Sequence, residues 1–341
     1  MITSIKLLLR TDGSIDLGNG HIIRMIALAE QLISRRFYIE FAICNDIFWF
    51  KYLKKKSFIT SFISSVDQVK DLCKIIKTNN ITHLVYDTRF QLTPFDLVNI
   101  RNITGVKICV IDTPEDTRLS ADVVIYPPIE KVFDLKWGGF KGSKFFGWEY
   151  VLLRKDFLNV SKNVLNPKEK TVLLSFGSTD PYLISEKVLH LLAENRECFS
   201  RIKFLLLVGP QFNRLENLLK MEAFKLLNIK IIQNPKKIVS LFRNIDVALI
   251  SFGLTAYELA ACKVPFLSIS TSDDHENSIK VFEENGLGTS LGNLNTFNLN
   301  LIEMLLQSIK NEHSSKKADS FFLTNTICDY SKIIKAITYY A

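Results

Sequence analysis

No apolar run in the chain approaches the roughly 18–20 residues that a helix needs to cross a bilayer. The apolar stretch at the N-terminus ends at Arg10 and leads directly into a glycine-containing loop, which argues against a signal peptide. The 6 cysteines are scattered singly without a CxxC pair, and neither they nor the 5 histidines have the spacing of metal ligands. We therefore expect a cytoplasmic protein with reduced thiols, no stable membrane insertion, no metal and no cofactor.

Basic residues are spread along the chain, although the formal net charge is +8 at pH 7. A charge of this sign suits an anionic ligand, a nucleic acid or an acidic membrane surface. The densest basic cluster, Lys51–Lys56, has no repeated aromatic platform around it, so we expect no nucleic-acid partner. A solvated helix end explains this cluster better than contact with an anionic membrane, which stays the alternative.

The length of 341 residues corresponds to two domains at roughly 150 residues each. Hydrophobic residues make up 47% of the chain and charged residues 23%, which is typical of globular proteins and excludes disorder. Strands alternate with helices in both halves, which predicts an α/β fold with doubly wound parallel sheets. A polar stretch at 160–170 reads as a linker, so we predict an N-terminal domain over 1–160 and a C-terminal domain over 161–341 that includes the last helices.

The stretch 10–30 is the most informative part of the first half. A buried strand at 5–9 precedes it, and a helix with apolar residues at helical spacing begins near His21. The loop between them holds Gly13, Gly18 and Gly20, which permit positive φ angles and close approach of a ligand. His21 then lies at the carboxyl edge of the sheet, where open α/β sheets bind ligands.

His21 is the candidate catalytic residue. The partial positive charge of a helix N-terminus and the nearby Arg24 both favour a neutral imidazole, the form that can accept a proton from water. Asp12 and Asp16 lie in the same loop and could orient the ring or oppose that effect. The alternative is that His21 and Asp16 are only loop and cap residues.

Two further aspartates, Asp87 and Asp112, each follow a predicted strand. Their position suits site residues and helix caps equally, and both interpretations stay open.

In the second half, a strand at 171–175 runs into Gly177, Ser178, Thr179 and Asp180. Asp180 followed by Pro181 predicts a helix start, with the aspartate as N-cap. The loop ahead of this helix would then present backbone N–H groups and hydroxyls to a phosphate.

A second loop, Ser251–Leu254, leads into a predicted helix at 255–262. Thr255 and Glu258 match a capping box, in which Glu258 only satisfies a backbone N–H. The alternative is that Glu258 accepts hydrogen bonds from a ribose. Spacing favours the capping interpretation.

Four segments together resemble one family. One of them, VIDTPEDTRLSADVVIYP, resembles a DD-x-x-x-R-x-x-AD-x-x-I-N segment. RTDGSIDLGNGHIIRMIALAEQL resembles an R-x-D-x-S stretch followed by G-x-G-H-x-x-R and L-A, SFGSTDP resembles a GGTDP loop, and ISFGLTAYELAACKVPFLSI resembles ISxGGxTxxELxxxGxP. These are signatures of the UDP-2,4-diacetamido-2,4,6-trideoxy-β-L-altropyranose hydrolases of pseudaminic acid biosynthesis. The likeness covers roughly residues 5–292 and extends to the wider GT-B glycosyltransferases.

The resemblance implies a GT-B-like fold of two Rossmann-like domains with the sugar nucleotide in the cleft between them. It implies that His21 activates water, that the segment around Gly253, Thr255 and Glu258 grips UDP, and that no metal takes part. The candidate substrate-binding residues are Asp12, Gly18, Asn19, Gly20, Arg24, Gly177, Ser178, Thr179, Asp180, Gly253, Leu254, Thr255, Glu258, Glu276 and Asn277.

The chain departs from the family pattern at positions expected near the sugar. Phe176 and Phe252 replace the first glycine of two GG pairs, 274–277 read DHEN where relatives commonly carry an Asn-Gln pair, and Arg89 lies close to where a tyrosine often follows the acidic residue. The sequence therefore predicts the identity of the sugar less well than the identity of the nucleotide.

The leading hypothesis is a cytoplasmic UDP-sugar hydrolase of nucleotide-sugar metabolism, in which His21 activates water for attack at C1. A GT-B glycosyltransferase of surface polysaccharide biosynthesis is the alternative, and a non-catalytic sugar-nucleotide sensor ranks third because a histidine stands where the chemistry needs one.

Overall fold

The computed structural model describes every residue except 1–4, 14–17, 45, 90, 130–131, 133–134, 159, 161–168, 236 and 311–315. The chain forms two compact units, Met1–Lys155 with Thr326–Ala341, and Asp156–Asn325. Each unit is built on one parallel sheet connected by helices, so the predicted fold of two Rossmann-like α/β domains is confirmed.

The sheet of the first unit has the strand order β3-β2-β1-β4-β5-β6-β7 among the described residues. Its strands are β1 (Lys6–Thr11), β2 (Tyr38–Cys44), β3 (Ile59–Ile63), β4 (His83–Asp87), β5 (Lys107–Ile111), β6 (Val123–Tyr126) and β7 (Ser143–Phe146). The helices are α1 (Gly20–Ser34), α2 (Ile47–Lys55), α3 (Gln68–Asn79) and α4 (Pro94–Thr104).

Local sequence explains these elements well. The central strand β4 is buried at all five positions, as expected for a strand covered on both faces. Helix α4 begins with a capping box between Thr93 and Asp96 and with Pro94 in its first turn. It ends at Gly105, whose φ of 70° is the left-handed conformation that glycine adopts without strain.

The second unit has the strand order β10-β9-β8-β11-β12-β13. Its strands are β8 (Lys170–Ser175), β9 (Ile202–Val208), β10 (Asn228–Gln233), β11 (Val247–Ser251), β12 (Phe266–Ser270) and β13 (Gly288–Asn293). The helices are α5 (Ile184–Glu194), α6 (Leu215–Leu219), α7 (Ala223–Leu226), α8 (Ile238–Phe242), α9 (Leu254–Ala261), α10 (Asp273–Glu284), α11 (Leu301–Lys310) and α12 (Lys316–Thr324).

The final helix, α13 (Tyr330–Tyr339), belongs with residues 326–341 to the first unit, whereas the bounds expected from sequence place it in the second domain. Sequence alone leaves open whether the last helices return to the first domain. Its Ile333 and Ile337 are fully buried, and the Tyr330 hydroxyl donates to the Leu153 carbonyl at 2.5 Å. An apolar helix face is most stable where it is covered, and here the first unit covers it. Most of the predicted linker at 160–170 lies outside the described residues.

The basic cluster at 51–56 forms the end of α2, with exposed Lys54 and Lys55 in the last turn. This agrees with its interpretation as a solvated helix end. In the described part of the chain, no helix combines the length and the apolar character that crossing a membrane requires.

Candidate active site

The order of strands in the first unit reverses between β1 and β4. Connections from β1 lead through β2 to β3 on one side, whereas β4 begins the series β4 to β7 on the other. Open α/β sheets bind ligands in the crevice at the carboxyl ends of such strands. His21, in the first turn of α1 after β1, and Asp87, the last residue of β4, meet at this edge.

His21 Nδ1 lies 2.7 Å from Asp87 Oδ1. Asp87 is fully buried, and burial by itself would raise its pKa, but the positive charges of Arg24 and His21 hold that pKa well below its usual range. Arg24 Nη2 also lies 3.0 Å from Nδ1. An ionised carboxylate only accepts hydrogen bonds, so the shorter contact with Asp87 is a hydrogen bond when the proton is on Nδ1. When the ring is neutral in this tautomer, Nε2 carries the lone pair that can accept a proton.

Arg24 ties this histidine to two carboxylates. Its Nε and Nη2 donate to the two oxygens of Asp87 at 2.7 and 2.5 Å, and its Nη1 donates to Asp112 Oδ2 at 2.7 Å. Burial opposes the positive charge, yet Asp87 and Asp112 raise the pKa of Arg24 above its usual value. Arg24 thus holds Asp87 and Asp112 in place, and Asp87 in turn contacts His21. The imidazole of His21 is therefore fixed in orientation.

Asp87 and Asp112 are therefore parts of this network, which the sequence alone did not distinguish from helix caps. Asp112 has a φ of 48° directly after β5, and its N–H donates to the Ile125 carbonyl at 2.9 Å. This backbone bond holds Asp112 in a conformation that turns the chain at the end of the strand.

The expectation that Asp12 orients His21 is wrong. Asp12 Oδ2 pairs with Arg10 Nη1 at 2.6 Å, and its Oδ1 accepts the Cys44 N–H at 2.7 Å. Arg10 is fully buried and is held further by Gln68 Oε1 at 2.9 Å from its Nη2. Asp12 thus neutralises a buried arginine and joins β1 to the end of β2. Asp16, the other candidate to orient His21, lies outside the described residues.

The glycine loop is shaped largely by packing. A Cβ atom at Gly13 would overlap the Trp49 indole. The group that approaches the backbone closely at Gly13 is therefore the Trp49 side chain, whereas the sequence suggested a ligand. Asn19 Oδ1 accepts the indole N–H of Trp49 at 3.0 Å. Gly18, with φ of 74°, has open space where its side chain would be, and Gly20 begins α1.

Arg89 and Glu115 form a second polar group at the same sheet edge. Arg89 Nη2 lies 3.9 Å from Asp112 Oδ2, and Arg89 Nη1 lies 3.8 Å from Glu115 Oε2. Both carboxylate oxygens of Glu115 are buried and form no hydrogen bond with any described residue. Sequence reasoning missed Glu115, because it lies between β5 and β6 at an unspecified position of the DD-x-x-x-R-x-x-AD-x-x-I-N resemblance.

In the second unit, the strand order reverses between β8 and β11, so their loops form the equivalent edge. Gly177 has φ of 85°, and a Cβ atom built there would lie 4.0 Å from Ser251 Oγ at the end of β11. The Ser178 carbonyl accepts the Gly209 N–H at 3.0 Å. The loop of Gly177, Ser178 and Thr179 is thus fixed to its neighbours, and Thr179 is buried.

The predicted helix start at Asp180 needs a correction. Helix α5 begins at Ile184, after a turn at 180–183 in which Asp180 and Leu183 have positive φ. Asp180 Oδ1 and Oδ2 accept the N–H groups of Ile184 and Ser185 at 2.9 and 2.8 Å. The carboxylate therefore occupies the helix end that the sequence assigned to a phosphate.

The capping box at Thr255 and Glu258 is also wrong. Helix α9 begins at Leu254 with Gly253 as N-cap, a residue that has no side chain to cap the helix. Glu258 lies inside the helix and is only 3% exposed. Because Glu258 lies inside the helix and not in its first turn, capping does not explain it. Buried carboxylates are rare in proteins unless they are paired.

The remaining predicted residues lie on α10. Glu276 Oε1 accepts the Asn293 amide at 2.8 Å, and the Asn277 amide donates to the Asp273 carbonyl at 2.9 Å. Phe252, which replaces a family glycine, packs with its ring centroid 5.6 Å from His275 and 5.5 Å from Phe282.

Phe176 replaces the other family glycine and is 2% exposed in the core of the second unit. Both phenylalanines are therefore packing residues.

No protein-family model matches the chain. It is 29% identical over 284 residues to the uncharacterised protein MJ1062 of Methanocaldococcus jannaschii, covering 76% of this chain and 54% of that protein. It is 22% identical over 284 residues to the spore coat polysaccharide biosynthesis protein SpsG of Bacillus subtilis, covering 82% of each. The chain thus spans about half the length of the first of these relatives.

Among solved structures, MurG of Acinetobacter baumannii aligns over 98% of this chain and 99% of its own, with a TM-score of 0.65 and 13% identity. HepE of Anabaena, solved in complex with UDP and glucose, aligns over 98% of both chains, with a TM-score of 0.58 and 13% identity. These likenesses, with the two parallel sheets, establish a GT-B-like fold for this chain.

Proposed function

We propose that the chain is a nucleotide-sugar enzyme of polysaccharide biosynthesis, and specifically a hydrolase that releases UDP from a UDP-2,4-diacetamido-2,4,6-trideoxyhexose. The likeness to SpsG supports the polysaccharide pathway, and the likeness to HepE with UDP and glucose supports the substrate class. The motifs around His21, Gly177 and Gly253 support the hydrolase family.

The observation that carries the proposal is the 2.7 Å contact between His21 Nδ1 and the ionised Asp87. A histidine held this way presents Nε2 as a general base, which is the arrangement found in hydrolytic triads. Arg24 contacts the same Asp87 oxygen, so this carboxylate holds both the imidazole and the guanidinium in place.

The reaction proceeds as follows. His21 Nε2 takes a proton from a water molecule while the water oxygen forms a bond to C1 of the sugar. The bond between C1 and the β-phosphate oxygen breaks, its electron pair leaves with UDP, and the imidazolium later returns its proton to solvent. Asp87 stabilises that imidazolium through the hydrogen bond at Nδ1.

In the second unit, we assign nucleotide binding to the loops after β8 and β11. Backbone groups of Gly177, Ser178 and Thr179 would contact the diphosphate, and Asp180 would hold that loop by capping α5. Gly253, Leu254 and Thr255 would present the end of α9, whose N-cap is a glycine, to the negative charge.

The remaining assignments concern the ribose and the sugar. Glu258 would accept hydrogen bonds from the ribose hydroxyls, and Glu276 and Asn277 would border the sugar. In the first unit, we assign Gly18, Asn19 and Gly20 to substrate binding. Arg24 would affect the substrate only by holding His21 in place. Asp12 would act on this loop only by fixing its start to β2.

The test is hydrolysis of UDP-2,4-diacetamido-2,4,6-trideoxy sugars in water enriched in ¹⁸O, without an acceptor. We expect UDP without the label and a reducing sugar carrying one ¹⁸O at C1, because the C1–O bond breaks. His21→Asn should lower kcat by about 10²–10⁴-fold with UDP affinity retained. Label in UDP, or a fully active His21→Asn variant, would contradict the mechanism.

The alternative is a GT-B glycosyltransferase, which the presence of Arg89 near the tyrosine position of the hydrolases favours. Nucleotide release that requires an added acceptor, with no ¹⁸O in the sugar, would support transfer. Tight UDP binding without turnover under either condition would indicate a sensor.

A further inference from the structure

Beside the His21 network lies a cluster of buried polar atoms that form no hydrogen bond to another residue in the described part of the chain. Arg89 Nη1, both oxygens of Glu115 and the Thr88 hydroxyl are buried and form no hydrogen bond with any described residue. The side chains of Arg89 and Glu115 are 20% and 16% exposed, so water reaches only a small part of each. Leaving such groups unpaired costs about 1–3 kcal/mol each, and more for charged groups, so an arrangement of this kind usually serves a ligand.

The spacing of the pair defines what fits. Arg89 Nη1 and Glu115 Oε2 are 3.8 Å apart, which is too long for a hydrogen bond between them. One oxygen atom at about 2.8 Å from both atoms completes the geometry. A hydroxyl group, like a water molecule that it would displace, both donates to a carboxylate and accepts from a guanidinium, whereas a carbonyl or a phosphate oxygen would be repelled by Glu115.

The pair is connected to the catalytic network. Asp112 Oδ2 lies 2.7 Å from Arg24 Nη1 and 3.9 Å from Arg89 Nη2, so the two arginines share one carboxylate. Burial raises the pKa of Glu115, an effect that Arg89 and, more weakly, His21 oppose.

We propose that Arg89 and Glu115 are specificity-determining residues that bind a ring hydroxyl of the sugar, inserted between the guanidinium and the carboxylate. This inference rests on the proposed function, since it takes the sugar to be the group attacked next to His21. In a 2,4-diacetamido-2,4,6-trideoxyhexose attached to UDP through C1, the free ring hydroxyl is the one on C3. That hydroxyl is the group we assign to the pair.

The experiment compares two probes, UDP-2,4-diacetamido-2,4,6-trideoxy-β-L-altropyranose and its 3-deoxy analogue. Wild-type protein should prefer the hydroxylated probe by about 10–100-fold in kcat/KM, the worth of one or two hydrogen bonds to charged groups. The Glu115→Ala and Arg89→Met variants should have almost the same kcat/KM for the two probes. Glu115→Gln should recover part of the preference, because its amide oxygen still accepts a hydrogen bond.

The matched control is Glu149→Gln, the same chemical change at an ion pair with Lys332 elsewhere in the first unit. It should keep the wild-type preference. Circular dichroism of each variant verifies that the fold is retained, and calorimetric binding of UDP alone should be unchanged.

The outcomes separate this inference from the proposed function. If the wild type hydrolyses neither probe but binds them, the hydrolase proposal fails, and the binding preference between the probes still tests the pair. If Glu115→Ala keeps the wild-type preference in turnover or binding, the pair does not bind the hydroxyl and the inference is overturned. The same holds if the wild type binds both probes no better than UDP.

Discussion

Replacing Asp87 by asparagine changes one atom of a fully buried side chain and removes the charge that orders His21 and Arg24. In the wild type, Asp87 accepts from His21 Nδ1 at 2.7 Å and from Arg24 Nε and Nη2 at 2.7 and 2.5 Å. An amide has one acceptor atom where the carboxylate has two. Either its NH₂ group faces Arg24 Nε, placing two donors together, or it faces His21 and forces the proton onto Nε2.

The expected losses of stability and of activity follow from these two orientations of the amide. Breaking a buried ion pair typically costs about 3–5 kcal/mol, and we expect a value near 3 kcal/mol because Arg24 keeps Asp112 as a partner. For a unit of this size, that loss lowers the unfolding midpoint by about 6–12 °C. The loss of the correct tautomer should lower kcat by about 10²–10⁴-fold, with UDP affinity within about 2-fold of wild type.

The assay combines kcat for UDP release, thermal unfolding by circular dichroism and the ¹⁵N spectrum of the histidine ring. The control is Asp122→Asn, which alters another aspartate paired with an arginine, at the amino-terminal edge of the same sheet. Asp122 Oδ2 accepts from Arg101 Nη2 at 3.1 Å and from the Ile108 N–H at 2.8 Å. A folded Asp87→Asn variant with kcat within about 3-fold of wild type and the proton still on Nδ1 would refute the reasoning.

Two more predictions concern acid stability and the second unit. Because Arg24 and His21 lower the pKa of Asp87 in the folded state, its stabilisation is present above its unfolded value of 3.8 and is lost as the pH falls below that value. The difference in unfolding free energy between wild type and Asp87→Asn should therefore shrink from pH 6 to pH 3 in urea titrations; a constant difference would contradict the assignment. Gly209→Ala should cost about 1–3 kcal/mol and weaken UDP binding, because the new Cβ would lie 2.6 Å from the Ser178 carbonyl oxygen. Gly138→Ala, where the added atom has open space, is the control and should change stability by less than about 0.5 kcal/mol; equal effects at the two glycines would contradict this reading.

The elements that sequence predicted well are those whose own residues carry the signal. Buried strands such as β1 and β4 are continuous apolar runs, and α1 has a regular apolar face. The edge strand β13, with the sequence GTSLGN, was missed because it has almost no apolar character. Its place in the sheet comes from backbone pairing with β12, which side-chain pattern does not record.

The unit that buries the last helix could not be predicted from local sequence either. The amphipathic pattern of α13 indicates a helix with one buried face, but not which unit buries it. The hydrogen bond from Tyr330 to Leu153 joins residues 177 positions apart. Such a contact depends on the folded surface of the first unit.

The residue types at the site and their strand-loop-helix setting follow from local sequence. His21 must stand at the start of α1, and Gly177 must turn the chain after β8, because propensity and apolar period fix those elements. Which carboxylate meets His21 was decided by the order of the strands. Asp12 is 9 positions from His21 but faces Arg10, whereas Asp87 is 66 positions away and is brought into contact because β4 pairs with β1. Likewise, nothing in the sequence around Glu115 shows that its carboxylate is buried beside Arg89 without a hydrogen bond to another described residue, since burial and pairing are properties of the packed chain.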